Sequence, residues 1–417
     1  MQTHKLKNIK TSWTQRTVLI VLKVLRQKLK NLLTDHRTLF GLWLLLGVVS
    51  ALCKLHAHNN FDIFRYVFYN TMNGTSLYAQ STDGGYWDMN HYGPFFSLII
   101  APFAVVPWWL GLVLWCVALS MFLYWAVRKS TLNRYQQIFI FWFCAHELLT
   151  ALFMQQFNIA IAAIILLSFW LVEKERDEWA TLFIVIGTLV KLYGIVGLAF
   201  FLFSKHKVKY ILSFIIWSAV LFCLPMLYSG IDYQLGQYAA WFQCLTEKNA
   251  ENTDSIAQNI SLLGMAHRLT KLHFSDLYII LPGLLLFAAP YLRFRQYAHT
   301  AFRQTLLASV LMFVCLFSTG TESSGYIIAL TGCCIWYTAA PWKRTRWDVA
   351  LMVFAFILTS LSPSDLFPAW LRKEIVQPYA LKALPVSLIW FKLCAEILLC
   401  NYKPAPSAVQ SSGEKYP

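Results

Sequence analysis

The sequence predicts an all-α polytopic protein embedded in a membrane, and three observations predict it. Of the 417 residues, 58% are hydrophobic and only 13% are charged, against about 25% charged in soluble domains. Apolar runs of about 17–25 residues recur along the chain, the length a helix needs to cross a bilayer. Runs such as 159–171 show none of the alternation that a membrane β-barrel needs. The net charge of +15 is accounted for by Lys and Arg collecting in cytoplasmic loops, so no nucleic-acid partner is expected. The ten cysteines are scattered, mostly inside apolar runs, with neither metal-ligand spacing nor a disulfide framework.

Residues 1–37 hold nine Lys or Arg against one acid, Asp35. Val18, Val21, Leu22, Leu25, Leu29 and Leu32 share a helical face, with Lys23, Arg26 and Lys30 opposite, which predicts an amphipathic helix on an anionic membrane surface. The apolar stretch 18–22 is short and no small-residue cleavage site follows, so the segment does not read as a signal peptide. A basic N-terminus of this kind stays in the cytoplasm, and a first span at 39–55 carries the loop 56–93 outside. Residues 95–127 are too long for one upright span and lead to Arg128, Lys129 and Arg134, so a short interfacial helix is expected before Pro107. A span at 136–153 leads out to the tight turn Gln155-Gln156-Phe157-Asn158, and 159–172 leads back. The segment 179–203 is flanked on both sides by basic residues, Lys174 and Arg176 before it, Lys205, Lys207 and Lys209 after it. Two arms of about twelve residues meeting near Lys191-Leu192-Tyr193-Gly194 reconcile this, with Lys191 at a helix break that lines a cavity. Further spans are expected at 210–228, 276–292, 305–320, 323–341, 347–361 and 380–400, with a second external loop at 229–275. The sum is about twelve crossings in a membrane domain of residues 38–403, with short interfacial helices in its external loops. Residues 404–417 have the composition of a disordered cytoplasmic tail.

An ionisable group inside or at the edge of a membrane is expensive unless paired, so each one is a functional candidate. Asp62 opens an aromatic-rich loop, 59–94. A carboxylate there can draw a proton from an acceptor hydroxyl or cap the helix that IFRYVFYNTM predicts; the sequence leaves both open. Lys191, in an apolar segment beside Gly194 and Gly197, suits an anionic group such as a lipid phosphate, against snorkelling to the interface. Arg268, in QNISLLGMAHRL, is a second positive charge for the same group or an ordinary interfacial arginine. Tyr66, Tyr69, Tyr78, His91 and Tyr92 form an aromatic belt or supply stacking faces for a sugar. Gln156 and Asn158 form the tight turn or touch substrate. Glu322, in TGTESSGY, is a loop acid or a second site carboxylate, and Glu147 in CAHELL stands ready to pair with His146. No phosphate-cradling glycine loop, nucleotide pattern or zinc motif is present. No cofactor and no metal are therefore expected, and an activated substrate would arrive in the lipid.

Asp62-Ile63-Phe64-Arg65-Tyr66, then Gly74 and Tyr78, then His91-Tyr92-Gly93-Pro94 with Pro102 and Pro107, resemble the first-loop pattern of glycosyltransferase family 87. These are polyprenol-phosphate-mannose-dependent mannosyltransferases of the GT-C superfamily. Three later stretches are similar in the same order. Gln156-Phe157-Asn158 is similar to the family's Gln-Val-Asn turn, Lys191 to its lysine, and Asn259-Ile260-Ser261-Leu262 with Arg268 to its Asn-Gln-Ser-Leu…Arg segment. The likeness runs over 59–330. It departs at 318–326, STGTESSGY, where many members carry a Ser-Pro…His-Tyr stretch; the proline and histidine are missing, and Glu322 is left to compensate.

The resemblance implies a GT-C-type fold, Asp62 as general base, and a polyprenyl monophosphate sugar as donor. It also implies that Lys191 and Arg268 hold the departing phosphate, and that reaction occurs at the periplasmic face with inversion. Arg65, Tyr66, Tyr69, Tyr78, His91, Tyr92, Gln156, Asn158, Asn259, Ser261, Glu322 and Tyr326 are then candidate substrate contacts. The expected function is transfer of a hexose, mannose first, to a lipid or glycan acceptor by a multi-pass protein of a bacterial inner membrane. Its partners are the donor, the acceptor and membrane lipids. The rival is a polytopic transporter or flippase of lipid-linked sugars, with the Lys191 break as its substrate site. Transporters show related halves, and no internal repeat is visible here.

Overall fold

The computed structural model describes residues 2–403, apart from 82, 83, 253, 254, 256 and 273. The tail expected at 404–417 and the side chains of residues 2–17 lie outside the described part. Among the described residues the chain is all-helical and has no strand. The basic segment is one helix, α1 (Gln2–Thr34), followed at once by α2 (His36–Cys53). On α1 the apolar side chains of Val18, Val21, Leu25 and Leu29 are exposed, as expected of a helix that lies on a membrane.

The aromatic loop carries α3 (Asn59–Asn73), closed by Gly74 in the left-handed region at φ 67°. α4 (Phe96–Ala104) and α5 (Trp108–Lys129) are the short and long helices expected on either side of Pro107, where the missing N–H breaks the ladder. The single span expected at 136–153 is instead a bent pair, α6 (Arg134–Phe143) and α7 (Ala145–Phe153), turned by 49° at Cys144. The bend brings His146 and Glu147 to partners far along the chain, Ser360 and Lys382, so Glu147 does not pair with His146. α8 (Asn158–Glu173) is apolar all round and buried along nearly its whole length, which makes it the centre of the bundle.

Around Lys191 the expected hairpin is present, with α9 (Asp177–Val190) as one arm and a 3₁₀ helix (Leu192–Phe203) as the other. Gly194 lies against Gly187, and Gly197 against Ile184, so closely that a Cβ on Gly194 or Gly197 would collide. That close approach is why glycine stands there. α10 (Lys207–Cys223) buries only Tyr210 and Leu221 and is followed by the short α11 (Met226–Ser229). The second long loop is helical too, with α12 (Ile231–Asn252) and α13 (Leu262–Thr270). α14 (Leu277–Ala288), α15 (Thr300–Leu316), α16 (Tyr326–Ala339), α17 (Arg346–Phe354), α18 (Ala369–Leu371) and α19 (Leu384–Leu399) complete the chain.

By length and composition, His36–Cys53, Trp108–Lys129 and Lys207–Ser229 can cross a membrane, and the bent pair makes a fourth if counted as one span. That is fewer than the expected twelve or so. The breaks at Cys144 and Lys191, together with the short α8 and α15, leave apolar helices below a full spanning length, such as Asn158–Glu173, Leu192–Phe203 and Thr300–Leu316.

Candidate active site

A cavity of about 350 Å³ opens where the start of α3, the loop ahead of α4, the break after α9, α12 and the turn after α15 meet. Its size falls in the range of sites that take a small molecule. Lys191 stands on its wall. The Lys191 Nζ donates to Asn158 Oδ1 at 2.8 Å and lies 4.8 Å from the centre of the Tyr193 ring and 5.9 Å from that of Tyr92. Among the described residues no carboxylate comes within ion-pair distance of it. A half-buried ammonium held by an amide oxygen and ring faces has only the more distant Glu322 to offset its charge, and an anion entering the cavity would balance it.

Behind Lys191 runs a hydrogen-bonded chain. Asn158 Nδ2 donates to Gln156 Oε1 at 2.8 Å and to Ser324 Oγ at 3.0 Å, and Gln156 Nε2 donates to Glu322. The tight turn expected at 155–158 therefore orients the lysine from beneath, with Gln155 at φ 56° making the reversal. Glu322 faces the same cavity from the turn after α15, which Tyr193 Oη grips at Ser318 Oγ (2.9 Å). Lys191, Gln156, Glu322, His91 and Tyr92 all line the cavity, and Asn158 supports them one layer back.

The loop ahead of α4 is pinned by its polar groups. Gly93 N donates to Val190 O at 3.0 Å, and a Cβ on Gly93 would run into Leu189 O and Trp241. Tyr92 Oη accepts from Phe157 N, and Tyr78 Oη donates to Tyr92 O, each at 3.0 Å, so Tyr78 braces the wall without lining it. Phe64 stacks on Tyr92 with centroids 5.0 Å apart.

Asp62 stands elsewhere. At ~100° per residue, it lies roughly 160° round α3 from Asn60 and Phe64 and about 100° from Ile63, the residues of that helix that line the cavity. Its carboxylate meets His58 Nδ1 at 2.5 Å, and His58 stacks on Trp108. Burial pushes the Asp62 carboxyl above its usual range, with His58 and Arg65 pulling the other way. The expectation that Asp62 and Lys191 converge on one cavity is therefore corrected, and so is the reading of Asp62 as a cap: the cap position is His58, and Asp62 is inside the first turn. Arg65 and Tyr69 share the far face with it. Arg65 Nη2 donates to Tyr69 Oη, which donates to Ala104 O. Tyr66 packs against Tyr86 and Tyr69.

The residues expected from the second loop are structural in this arrangement. Ser261 Oγ caps α13 at Gly264 N and donates to Asn259 Oδ1 at 2.6 Å. Arg268 spends its guanidinium on carbonyls, Ser255 O at 2.6 Å and Gln258 O at 2.7 Å, and so shapes the loop rather than facing the cavity. Tyr326 is fully buried and donates to Ile260 O.

Sequence reasoning passed over α12. Trp241, Leu245, Lys248, Asn249 and Asn252 all line the cavity, a stripe at helical spacing that was readable in a segment treated only as a loop. Asp88 and Gln258 also reach the cavity. Lys382, fully buried against Glu147, was passed over as well.

No curated protein matches the chain. The sequence profile of glycosyltransferase family 87 matches residues 90–319, more than half of its length and a span that includes His91, Gln156, Asn158, Lys191 and Arg268. On that match, and with helices apolar enough to cross a bilayer, this membrane protein belongs to glycosyltransferase family 87.

Proposed function

We propose that the protein transfers a hexose, mannose being the one its resemblance points to, from a polyprenyl-phosphate donor to a hydroxyl of a lipid or glycan acceptor. The observation that carries this reading is Lys191, a cation on the wall of a sugar-sized cavity with no carboxylate of its own. The donor's leaving group is a phosphate monoester anion. Its negative charge grows as the anomeric carbon–oxygen bond lengthens, so a fixed ammonium lowers the barrier as well as binding the ground state. Tyr92, Trp241 and the amides of Asn249 and Asn252 offer the ring faces and hydrogen bonds that a hexose requires. Attack by the acceptor oxygen opposite the phosphate is a single displacement and inverts the anomeric carbon. The excess of basic residues in the segment 1–37 supports a cavity on the periplasmic side of an inner membrane.

Asp62 enters this scheme as a boundary carboxylate and from the resemblance, and as a base it would have to reach the acceptor from the far face of α3. The cavity wall offers other bases, His91, Asp88 and Glu322.

The test is incubation of purified protein in lipid nanodiscs with radiolabelled polyprenyl-phosphate mannose or glucose and a membrane glycolipid extract. The expected result is label on the glycolipid and free polyprenyl phosphate, with the mannose donor used faster. In sealed vesicles, label that crosses the bilayer while still on its donor would replace this reading with the flippase.

A further inference from the structure

The cavity wall carries a second cation, Lys248, on the stripe that α12 turns to the cavity. Two hydrogen bonds fix that stretch of helix against the wall. Trp241 Nε1 donates to His91 O at 3.0 Å, and Thr319 Oγ1, from the turn after α15, donates to Asn249 Oδ1. The Lys248 side chain is 23% exposed, so it is set in the wall yet open to a ligand. The carboxylate within ion-pair distance of it is Glu251, three residues on along α12. At 3.7 Å that contact is longer than a hydrogen bond, and the Glu251 side chain is 63% exposed. Such a solvated pair is weak and leaves the ammonium available. Both lysines act on the same part of the wall. Burial holds the His91 imidazole below its ordinary value of 6.5, and Lys248 and then Lys191 act in the same direction, against Asp88 and Glu322.

A second positive charge has a specific use in the transfer, and the inference rests on the transferase reading above. The phosphate of a polyprenyl-phosphate sugar is a diester with a single negative charge. When the anomeric bond breaks it becomes a monoester, whose charge at pH 7 is about −1.5 to −2. Lys191 answers the first charge. Arg268, expected to answer the rest, is turned to Ser255 O and Gln258 O and does not line the cavity. Without Lys248 the wall would set one lysine against two acids, Asp88 and Glu322, a balance that opposes a dianion.

We propose that Lys248 is the second phosphate-binding cation of the site and acts on the charge that appears during transfer. The acceptor oxygen bonds to the anomeric carbon and its proton goes to the base. The bond from that carbon to the phosphate oxygen breaks, and its electron pair stays on that oxygen, stabilised by Lys191 and Lys248 together. An interaction that grows with the departing charge raises kcat more than it tightens donor binding.

The experiment uses the full chain in nanodiscs. It reads transfer from polyprenyl-phosphate mannose and the binding of two probes, polyprenyl monophosphate and its methyl diester. Lys248→Gln is expected to lower kcat by ~10–10²-fold, less than a fully enclosed group because solvent reaches the lysine. Binding of the monoester should fall about tenfold, while binding of the diester and the donor KM stay within about threefold. Lys248→Arg, which keeps the charge, should restore most of the turnover. Unaltered kcat in Lys248→Gln, equal loss of both probes, or a Lys248→Arg protein as slow as Lys248→Gln overturns the assignment. A rise in acceptor KM alone also overturns it, and gives Lys248 to an anionic acceptor instead. If the unaltered protein binds neither probe and transfers nothing, the transferase reading itself has failed.

Discussion

Lys191 and Lys382 are both lysines set in apolar stretches of the chain, and both stand near the turn after α15, yet their surroundings differ in one respect. Lys382 Nζ meets Glu147 Oε1 at 2.8 Å, Ser323 O at 2.8 Å and Ser323 Oγ at 2.9 Å, in a pocket where its side chain is 4% exposed and that of Glu147 is fully buried. Lys191 meets an amide oxygen, two ring faces and an open cavity. A buried cation with its own carboxylate and a complete set of acceptors belongs to the architecture. A cation that lacks a carboxylate, at the edge of a cavity, is poised for an anionic ligand. Apolar context marks both residues as unusual; the counter-charge separates their roles.

The largest expected effect tests the architectural half of the contrast. Lys382→Ala leaves the Glu147 carboxylate buried without a partner and should cost about 3–5 kcal/mol of stability. Thermal unfolding of the detergent-solubilised protein measures it. Replacing both partners, Lys382→Met with Glu147→Leu, should recover most of that loss, because the desolvation of both charges is then removed. A double variant no more stable than Lys382→Ala would mean that the pair is needed for its charge as well as its volume. Lys191→Ala should do the reverse, with unfolding unchanged and kcat for transfer lower by ~10²–10³-fold, the usual effect of removing one charge-stabilising group at a reacting centre. Should Lys191→Ala unfold the protein as readily as Lys382→Ala, the two lysines are alike and the contrast is broken.

What could be read in the sequence follows the same line. The breaks at Pro107 and Lys191 were legible because a proline and a charge punctuate otherwise apolar runs, while the close approach of the two arms at Gly194 and Gly197 shows only in the packing. The bend at Cys144 was not legible, because nothing in FWFCAHEL marks it. The residues it serves, Glu147 and Lys382, are 235 positions apart in the chain. Gln156, Asn158 and Lys191 were picked out one by one, but only packing shows that they form a single hydrogen-bonded chain ending at Glu322. The opposite failing occurred at Arg268 and Ser261, where a motif that resembles a binding segment is occupied with closing its own loop.

Asp62 belongs with Lys382 in this division, and the smallest effect is expected there. Its carboxylate already has a partner, His58, and its face of α3 points away from the cavity. Asp62→Asn keeps an oxygen for His58 and removes a charge that burial already disfavours. Turnover should fall less than about tenfold, against the ~10²–10⁴-fold expected of a lost general base. Lowering the pH sharpens the distinction. An Asp62 base raised by burial would still titrate as a carboxyl, so its acid limb would vanish in Asp62→Asn; a limb that survives that change belongs to another group. Comparing the pH profiles of Asp62→Asn and the unaltered protein decides whether the limb is that of Asp62. An Asp62→Asn protein that binds polyprenyl phosphate normally but transfers nothing would return the base to α3. It would also require that helix to turn its other face to the substrate during catalysis.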